Sequence, residues 1–280
     1  MTLDAPFTRI QHLSAQVAPS LLPTCKLVLY VQPHQVLYVL ISPDEKLIAC
    51  YECKNSQGIS SDMFLRFVFE RETLLRKPFL SCQVYTSEPL FSLIPEAHYR
   101  QEEAHSLARL LLDGAVFPED VFSVRVPPLH IRVLFAVSPP LLHLLNHYVS
   151  SYTIHHICEV SLHLGRHLAN SPSSLILHLQ KDHIMITAFR EGKLSLCNVY
   201  PFRSIPDALY FVQVGRRVSG LEHPDIPVFV LGDIGERGKQ QNDLWEYLPD
   251  MQIPQQFLEV SSEDMTHTAY WRYAFLAVDE

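Results

Sequence analysis

The clearest alternation of apolar and polar positions in the chain lies between residues 173 and 219. Residues 175–179, 183–189 and 194–200 are short runs rich in Leu, Ile, Val and Tyr, separated by Gln180-Lys181-Asp182 and by Arg190-Glu191-Gly192-Lys193. Runs of this kind between turn formers predict strands, and connections this short make them antiparallel neighbours. Gly192 supplies the positive φ that a hairpin needs. Over 204–219 the period lengthens: Ala208, Phe211, Val212, Gly215 and Val218 fall on one helical face, so a helix that buries one side is expected. Ser204 is its N-cap, Asp207 completes a capping box, and Pro206 sits in the first turn, where its missing N–H costs little.

The same order of elements begins 147 residues earlier, with Lys26 standing where Ser173 stands in the later copy. Strands are expected at 26–31, 36–41 and 47–53, a helix at 60–75, a fourth strand at 79–85 and a helix at 102–113. An extra strand at 121–126, a fifth strand at 130–137 and a helix at 139–149 follow. After residue 219 the pattern predicts a fourth strand at 227–231, a helix at 238–247, a fifth strand at 257–260 and a closing helix at 265–277. The expected organisation is a leading arm (1–25, one strand or short helix), a first subdomain (26–150), a connector (151–172, extended over 153–157 and then helical) and a second subdomain (173–280). Three antiparallel strands followed by two parallel ones, with intervening helices, is the order of a ribonuclease H-like subdomain, and two in tandem make the actin-like ATPase architecture. The fold class is therefore α/β, with a mixed five-stranded sheet flanked by helices in each half. Such an analogy of fold carries no function with it.

Composition narrows the function classes. The chain has 280 residues, 48% hydrophobic and 19% charged, which is a folded chain and not a disordered one. A net charge of −8 without a dense Lys/Arg run argues against gripping a phosphate backbone, so nucleic acid is not an expected partner. The N-terminus lacks the basic start and apolar run of a signal peptide, and the most apolar region, 124–149, is broken by His130, Arg132, His143, His147 and four prolines, so no membrane span is expected. Six cysteines are scattered, mostly within expected strands, as in a reduced, cytoplasmic protein. Nine glycines are few for a chain that cradles phosphates, because glycine permits close backbone approach.

Several segments resemble a known family. Residues 194–202, Leu-Ser-Leu-Cys-Asn-Val-Tyr-Pro-Phe, lead to Asp207-Ala208-Leu209-Tyr210-Phe211. With Val228-Phe229-Val230-Leu231-Gly232-Asp233-Ile234, the segment Glu88-Pro89-Leu90-Phe91-Ser92-Leu93-Ile94-Pro95 and Tyr99, they are similar to an uncharacterised family of Bacteroidota proteins, a domain of unknown function with an actin-like ATPase fold. The resemblance spans most of 26–275. It implies the fold and no known activity, and it carries over no catalytic residue.

Four chemistries can be weighed on the residues. Active members of the actin-like superfamily place an Asp-x-Gly-type turn between the first two strands of each half, where the acid handles metal or water and glycine lets N–H groups reach phosphates. Here the turns read Gln32-Pro33-His34 and Gln180-Lys181-Asp182, without glycine, and proline removes a donor. A nucleotide cleft for ATP and Mg²⁺ would be drawn from Gln32, His34, Lys181, Asp182, Gly232 and Gly235; a plain strand-to-helix turn accounts equally for the last two. Two-metal nuclease chemistry needs a carboxylate on the first strand, and neither 26–31 nor 175–179 has one. His143/His147 and His163/His167 are i, i+4 pairs near His155 and His156, a spacing that suits either metal ligation or solvated and packed side chains. Cys50-Tyr51-Glu52-Cys53 has redox-motif spacing but falls in a strand, which points its thiols to opposite faces. Tyr270, Trp271, Tyr273 and Phe275 pack a last helix or dock a partner. The expected function is a non-catalytic actin-like scaffold that binds an unidentified protein, with no catalytic residue, cofactor or metal. The alternatives are a nucleotide-binding switch or weak ATPase with non-standard turns, and a metal-dependent enzyme built on the histidines. The sequence does not specify an oligomeric state.

Overall fold

Two stretches, Lys26–Gln32 and Ser174–Leu179, carry apolar residues on both of their alternating faces, so neither face can be left in water. Each becomes an inner strand of a sheet. The computed structural model describes residues 7–14, 18–112, 117–168, 171–232, 244–249, 251–254 and 259–260. In chain order the elements are β1 (Phe7–Ser14), β2 (Lys26–Gln32), β3 (Gln35–Ile41), β4 (Lys46–Asn55), α1 (Ser61–Arg71), β5 (Ser81–Thr86), β6 (Phe91–Pro95), α2 (Ala104–Leu111), β7 (Val121–Val126), β8 (Ile131–Ala136), α3 (Pro139–Tyr148) and β9 (Thr153–His156). There follow α4 (Cys158–His167), β10 (Ser174–Leu179), β11 (His183–Arg190), β12 (Lys193–Pro201), α5 (Ile205–Val218), β13 (Val228–Gly232), α6 (Leu244–Tyr247) and β14 (Glu259–Val260). These fall into two compact units, one drawing on 7–125, 131–157 and 259–260, the other on 126–130 and 158–254.

In the first unit the main sheet runs β1-β4-β3-β2-β5-β9. β2 is antiparallel to β3 and parallel to β5, and β5 is parallel to β9. Without β1 this is the strand order 3-2-1-4-5 of a ribonuclease H-like subdomain. The leading arm supplies β1, antiparallel to β4 from Phe7↔Asn55 to Ser14↔Ala49. One expectation is corrected: the fifth strand is not 130–137 but β9, from the stretch read as a connector. The 130–137 stretch becomes β8, which pairs with β6 in a separate three-stranded sheet of order β6-β8-β7. Both stretches are short and apolar, and hydrophobic pattern says that a strand forms without saying which sheet receives it. The small sheet has its own core, in which Leu134 and Ile94 meet Ala104, Ala108 and Leu112 around α2. Phe64, Leu65, Val68 and Phe69 are the buried side of α1, and the Phe7 ring lies edge-on to Phe64, with centroids 6.4 Å apart.

In the second unit the order is β12-β11-β10-β13, with β10 antiparallel to β11 and parallel to β13: again 3-2-1-4. The fifth position is held by Gln252 alone, bridged in parallel to Phe229, with Gln252 N–H donating to Val228 O and Val230 N–H to Gln252 O. Pro249 and Pro254 flank this bridge and stop it from growing into a strand. The expected fifth strand at 257–260 is thus also corrected: Glu259–Val260 pairs in parallel with Lys46 and Leu47 of β4, in the first unit's sheet. The expected helix at 265–277 lies outside the described residues. α5 begins with the anticipated capping box: the Asp207 N–H donates to Ser204 Oγ, and the Ser204 N–H donates to the Asp207 carboxylate. Its buried residues Ala208 and Val212 share one core with Leu175, Leu177, Ile184, Ile186 and Val230. α4 packs on β10 and β11. Among the described residues no helix is long and apolar enough to cross a membrane.

Gly165 of α4 tests that packing. A Cβ there would lie 2.0 Å from Cε2 of Phe189, which is only 1% exposed. Glycine-to-alanine changes inside a helix ordinarily gain about 1 kcal/mol. Overpacking a closed core costs about 1–3 kcal/mol, and here the clash should win. Gly165→Ala is therefore expected to lower unfolding free energy in urea by about 1–2 kcal/mol; an unchanged or raised value would show that α4 does not press on Phe189.

Candidate functional site

In an actin-like ATPase fold the phosphate-facing positions are the strand ends, above all the turn of the first hairpin in each half. In the first unit Gln32 pairs with Gln35, which leaves Pro33 and His34 as a two-residue turn. Proline has no N–H to offer a phosphate. The His34 carbonyl accepts from the Asn55 N–H at 2.9 Å. Gln32 and Gln35 are both buried. The Gln35 side-chain amide donates to Glu52 Oε1, which also receives the Lys54 ammonium at 2.8 Å. Glu52 is wholly buried, so this carboxylate is held by protein groups of its own sheet.

The second unit repeats the turn. Gln180 N–H donates to His183 O, and Lys181 and Asp182 form an exposed two-residue turn. The Asp182 carboxylate lies 2.8 Å from His183 Nδ1, while its backbone carbonyl accepts from Phe202 N–H. Gly232 ends β13 opposite Leu179 of β10, so Gly232 and the Lys181–Asp182 turn share one end of this sheet. Gly232 has φ +84°, and a Cβ on it would stand 2.2 Å from the Leu179 carbonyl oxygen and 2.7 Å from the His178 ring. Strand packing alone therefore requires glycine here. Gly235 lies outside the described residues. Gln32 and His34 belong to one unit, and Lys181, Asp182 and Gly232 to the other.

The histidines divide by environment. His143 and His147 stack on the exposed side of α3 with ring centroids 6.4 Å apart. His163 is half-buried on α4; the side chain of His167 lies outside the described residues. His155 stacks on Tyr85 at 5.2 Å, with Nε2 3.0 Å from Thr153 Oγ1. His156 is fully buried between Phe91, at 4.4 Å, and Phe135, at 5.6 Å. Its Nε2 lies 2.8 Å from the Glu88 carbonyl oxygen, so that nitrogen carries the proton and donates. The Glu88 carboxyl, raised by burial, in turn accepts from the hydroxyl and N–H of Ser138, just before α3. The 88–95 segment singled out by resemblance thus ties His156 to α3. Among the described residues no group of three or more His, Cys, Asp or Glu side chains is placed to hold a metal ion.

The cysteines also separate. Cys50 and Cys53 alternate across β4, opposite Val39 and Val36, so they project from opposite faces. Burial pushes the Cys50 thiol far up and Cys53 up to about 12. Sequence reasoning missed a different pair: Cys158, at the start of α4, and Cys197, on β12, are in hydrogen-bond contact. Nothing in their spacing could have revealed it, since α4 must first fold onto the sheet.

Residues 16–251 match a family described as "Protein of unknown function (DUF3822)". No curated protein matches the sequence. Among solved structures the chain is similar to a Bacteroides thetaiotaomicron protein with actin-like ATPase fold and unknown function. That likeness has a TM-score of 0.72 at 15% identity and covers 85% of this chain and 93% of the other. A second likeness is to a chain of the PilM–PilN type IV pilus biogenesis complex, with a TM-score of 0.56 at 13% identity, over 91% of this chain and 99% of that one. At such identities the likeness is one of fold: the actin-like ATPase fold, built from tandem ribonuclease H-like halves. The Bacteroides source fits the Bacteroidota family that the sequence resembles.

His156 makes stability depend on pH in a defined direction. Burial lowers its pKa from 6.5 to about 4, against a smaller opposing effect from the Glu88 carbonyl. Between those values the unfolded chain binds the proton and the folded one does not, so stability is full above about pH 6.5 and is lost as pH falls towards 4. At 1.36 kcal/mol per pH unit this amounts to about 3 kcal/mol. In urea unfolding the gap between wild type and His156→Asn should narrow by about that much from pH 7 to pH 4; parallel pH curves would place the titration elsewhere.

Proposed function

The chain belongs to the DUF3822 family of proteins of unknown function, and from that premise we propose that it is a non-catalytic actin-like protein that works by binding another protein. The observation that carries this reading is the chemistry of the two strand-end turns. Pro33-His34 and Lys181-Asp182 contain no glycine, and the first contains a residue without an N–H. A backbone that cradles phosphates needs glycine for close approach and several converging N–H donors. Gly232, the described glycine among the candidate cleft residues, is accounted for by how close a Cβ there would come to Leu179 O. The inner strands carry no carboxylate that could hold a metal ion beside a phosphate.

The PilM–PilN complex is an instance of a similar fold in an assembly of two named proteins, which lends support to a binding role here. None of the six cysteines, all of them among the described residues, is in a disulfide, which suits a reducing, cytoplasmic setting. The competing reading is a nucleotide switch that uses Gln32, His34, Lys181, Asp182, Gly232 and Gly235. The two readings part in one measurement. A ligand that binds only the folded state raises Tm in proportion to its occupancy. Thermal unfolding with increasing Mg-ATP or Mg-ADP, to millimolar concentration, is expected to leave Tm unchanged. A dose-dependent rise of several degrees would overturn the proposal in favour of the nucleotide switch.

A further inference from the structure

Cys158 and Cys197 are far apart in sequence yet meet on one side of the second unit's sheet. Cys158 is the first residue of α4 and has no exposed surface. Cys197 lies on β12, the edge strand, directly opposite Thr187 of β11, and keeps part of its surface accessible. Two donors converge on the Cys197 sulfur: Thr187 Oγ1 at 3.5 Å and the Cys158 thiol. The hydrogen bond from Cys158, with help from Thr187, draws the Cys197 thiol down. Cys158 is driven well up, first by burial and then by its contacts with Cys197 and with the Glu159 carboxylate. The pair is thus asymmetric: Cys197 gives up its proton first and Cys158 keeps its own. Burial raises Cys25, Cys50, Cys53 and Cys82, and none of these has such donors acting strongly enough to reverse it.

We propose that Cys197 and Cys158 are a site of reversible oxidation, in which a hydroperoxide converts the two thiols into a disulfide. The Cys197 thiolate attacks one peroxide oxygen, a sulfur–oxygen bond forms, the oxygen–oxygen bond breaks, and the departing alkoxide or hydroxide takes a proton from solvent. Cys197 is then a sulfenic acid. Cys158 loses its proton and attacks that sulfur; the sulfur–sulfur bond forms as the sulfur–oxygen bond breaks, and hydroxide leaves with the proton as water. Two thiols are oxidised, and one hydroperoxide is reduced to an alcohol, or to water, plus one water. Two thiols that share a hydrogen bond are already neighbours, as disulfide formation requires. The bond would pin the edge strand β12 to the start of α4, and a dithiol reductant would release it.

The test uses the full-length reduced protein, hydrogen peroxide as oxidant, and differential alkylation read by mass spectrometry. The expected result is a cross-linked peptide joining Cys158 to Cys197 that disappears on dithiothreitol treatment, while Cys53 and Cys82 react at least about tenfold more slowly. In Cys158→Ser, Cys197 should accumulate as a sulfenic acid trapped by dimedone. In Cys197→Ser, Cys158 should stay reduced. The wild-type measurement stands even if a variant fails to fold. Retention of both thiols at peroxide levels that oxidise glutathione, or a cross-link to any other cysteine, would overturn the proposal.

Discussion

The constraint on which the rest of the structure depends is the burial of β2 and β10 on both faces and both edges. Each takes an antiparallel neighbour on one side and a parallel one on the other. Their backbone N–H and C=O groups are therefore drawn into the sheet on both edges, and every side chain but that of Lys26 is buried. Such a strand has no room for an unpaired carboxylate, because desolvating one is far costlier than a single strand can offset. Chemistry that places a metal-binding acid on this strand has to meet that cost, and here the strands stay apolar instead. What polar function remains available is pushed to the strand ends.

The strand ends, in turn, are occupied by the protein's own groups. Gln35, Glu52 and Lys54 satisfy one another beside the first turn, and Asp182 pairs with His183 and Phe202 beside the second. Gly232 is needed where β13 meets the end of β10. Gln35, Glu52, Lys54 and Asp182 thus have structural partners on the spot, whatever else they do. The buried histidine of the first unit behaves in the same way. His156 is an aromatic core side chain hydrogen-bonded to the Glu88 carbonyl, and Glu88 also holds the start of α3. A large share of the histidine content that suggests metal chemistry in the sequence is thus spent on stacking.

The legible parts of the chain were those where the physics is local. The 173–219 stretch folds as its pattern dictates, because β10, β11 and β12 are consecutive hairpin strands and α5 follows with its own capping box. The first three strands of the other half behave likewise. The misreadings concern strands whose place is set by partners distant in sequence, although β5 and β13, also paired at long range, form where the pattern predicts. β8 and β9 are both short and apolar, and only the competition between two sheets for the fifth position separates them. β6 lies in a segment bounded by Pro89 and Pro95 and carried no strand signal strong enough to be read. Glu259–Val260 goes to β4, and Gln252 takes the place beside β13.

The sequence by itself determined the element order, the turn chemistry and the lack of acid on the inner strands, since each is set by residue type and by neighbours within a few positions. Only the tertiary structure decided which strand closes each sheet, which histidines are buried, and that Cys158 meets Cys197 across α4 and β12. Those outcomes depend on contacts between residues tens of positions apart, and such contacts are chosen by the packing of whole elements, which no local period records.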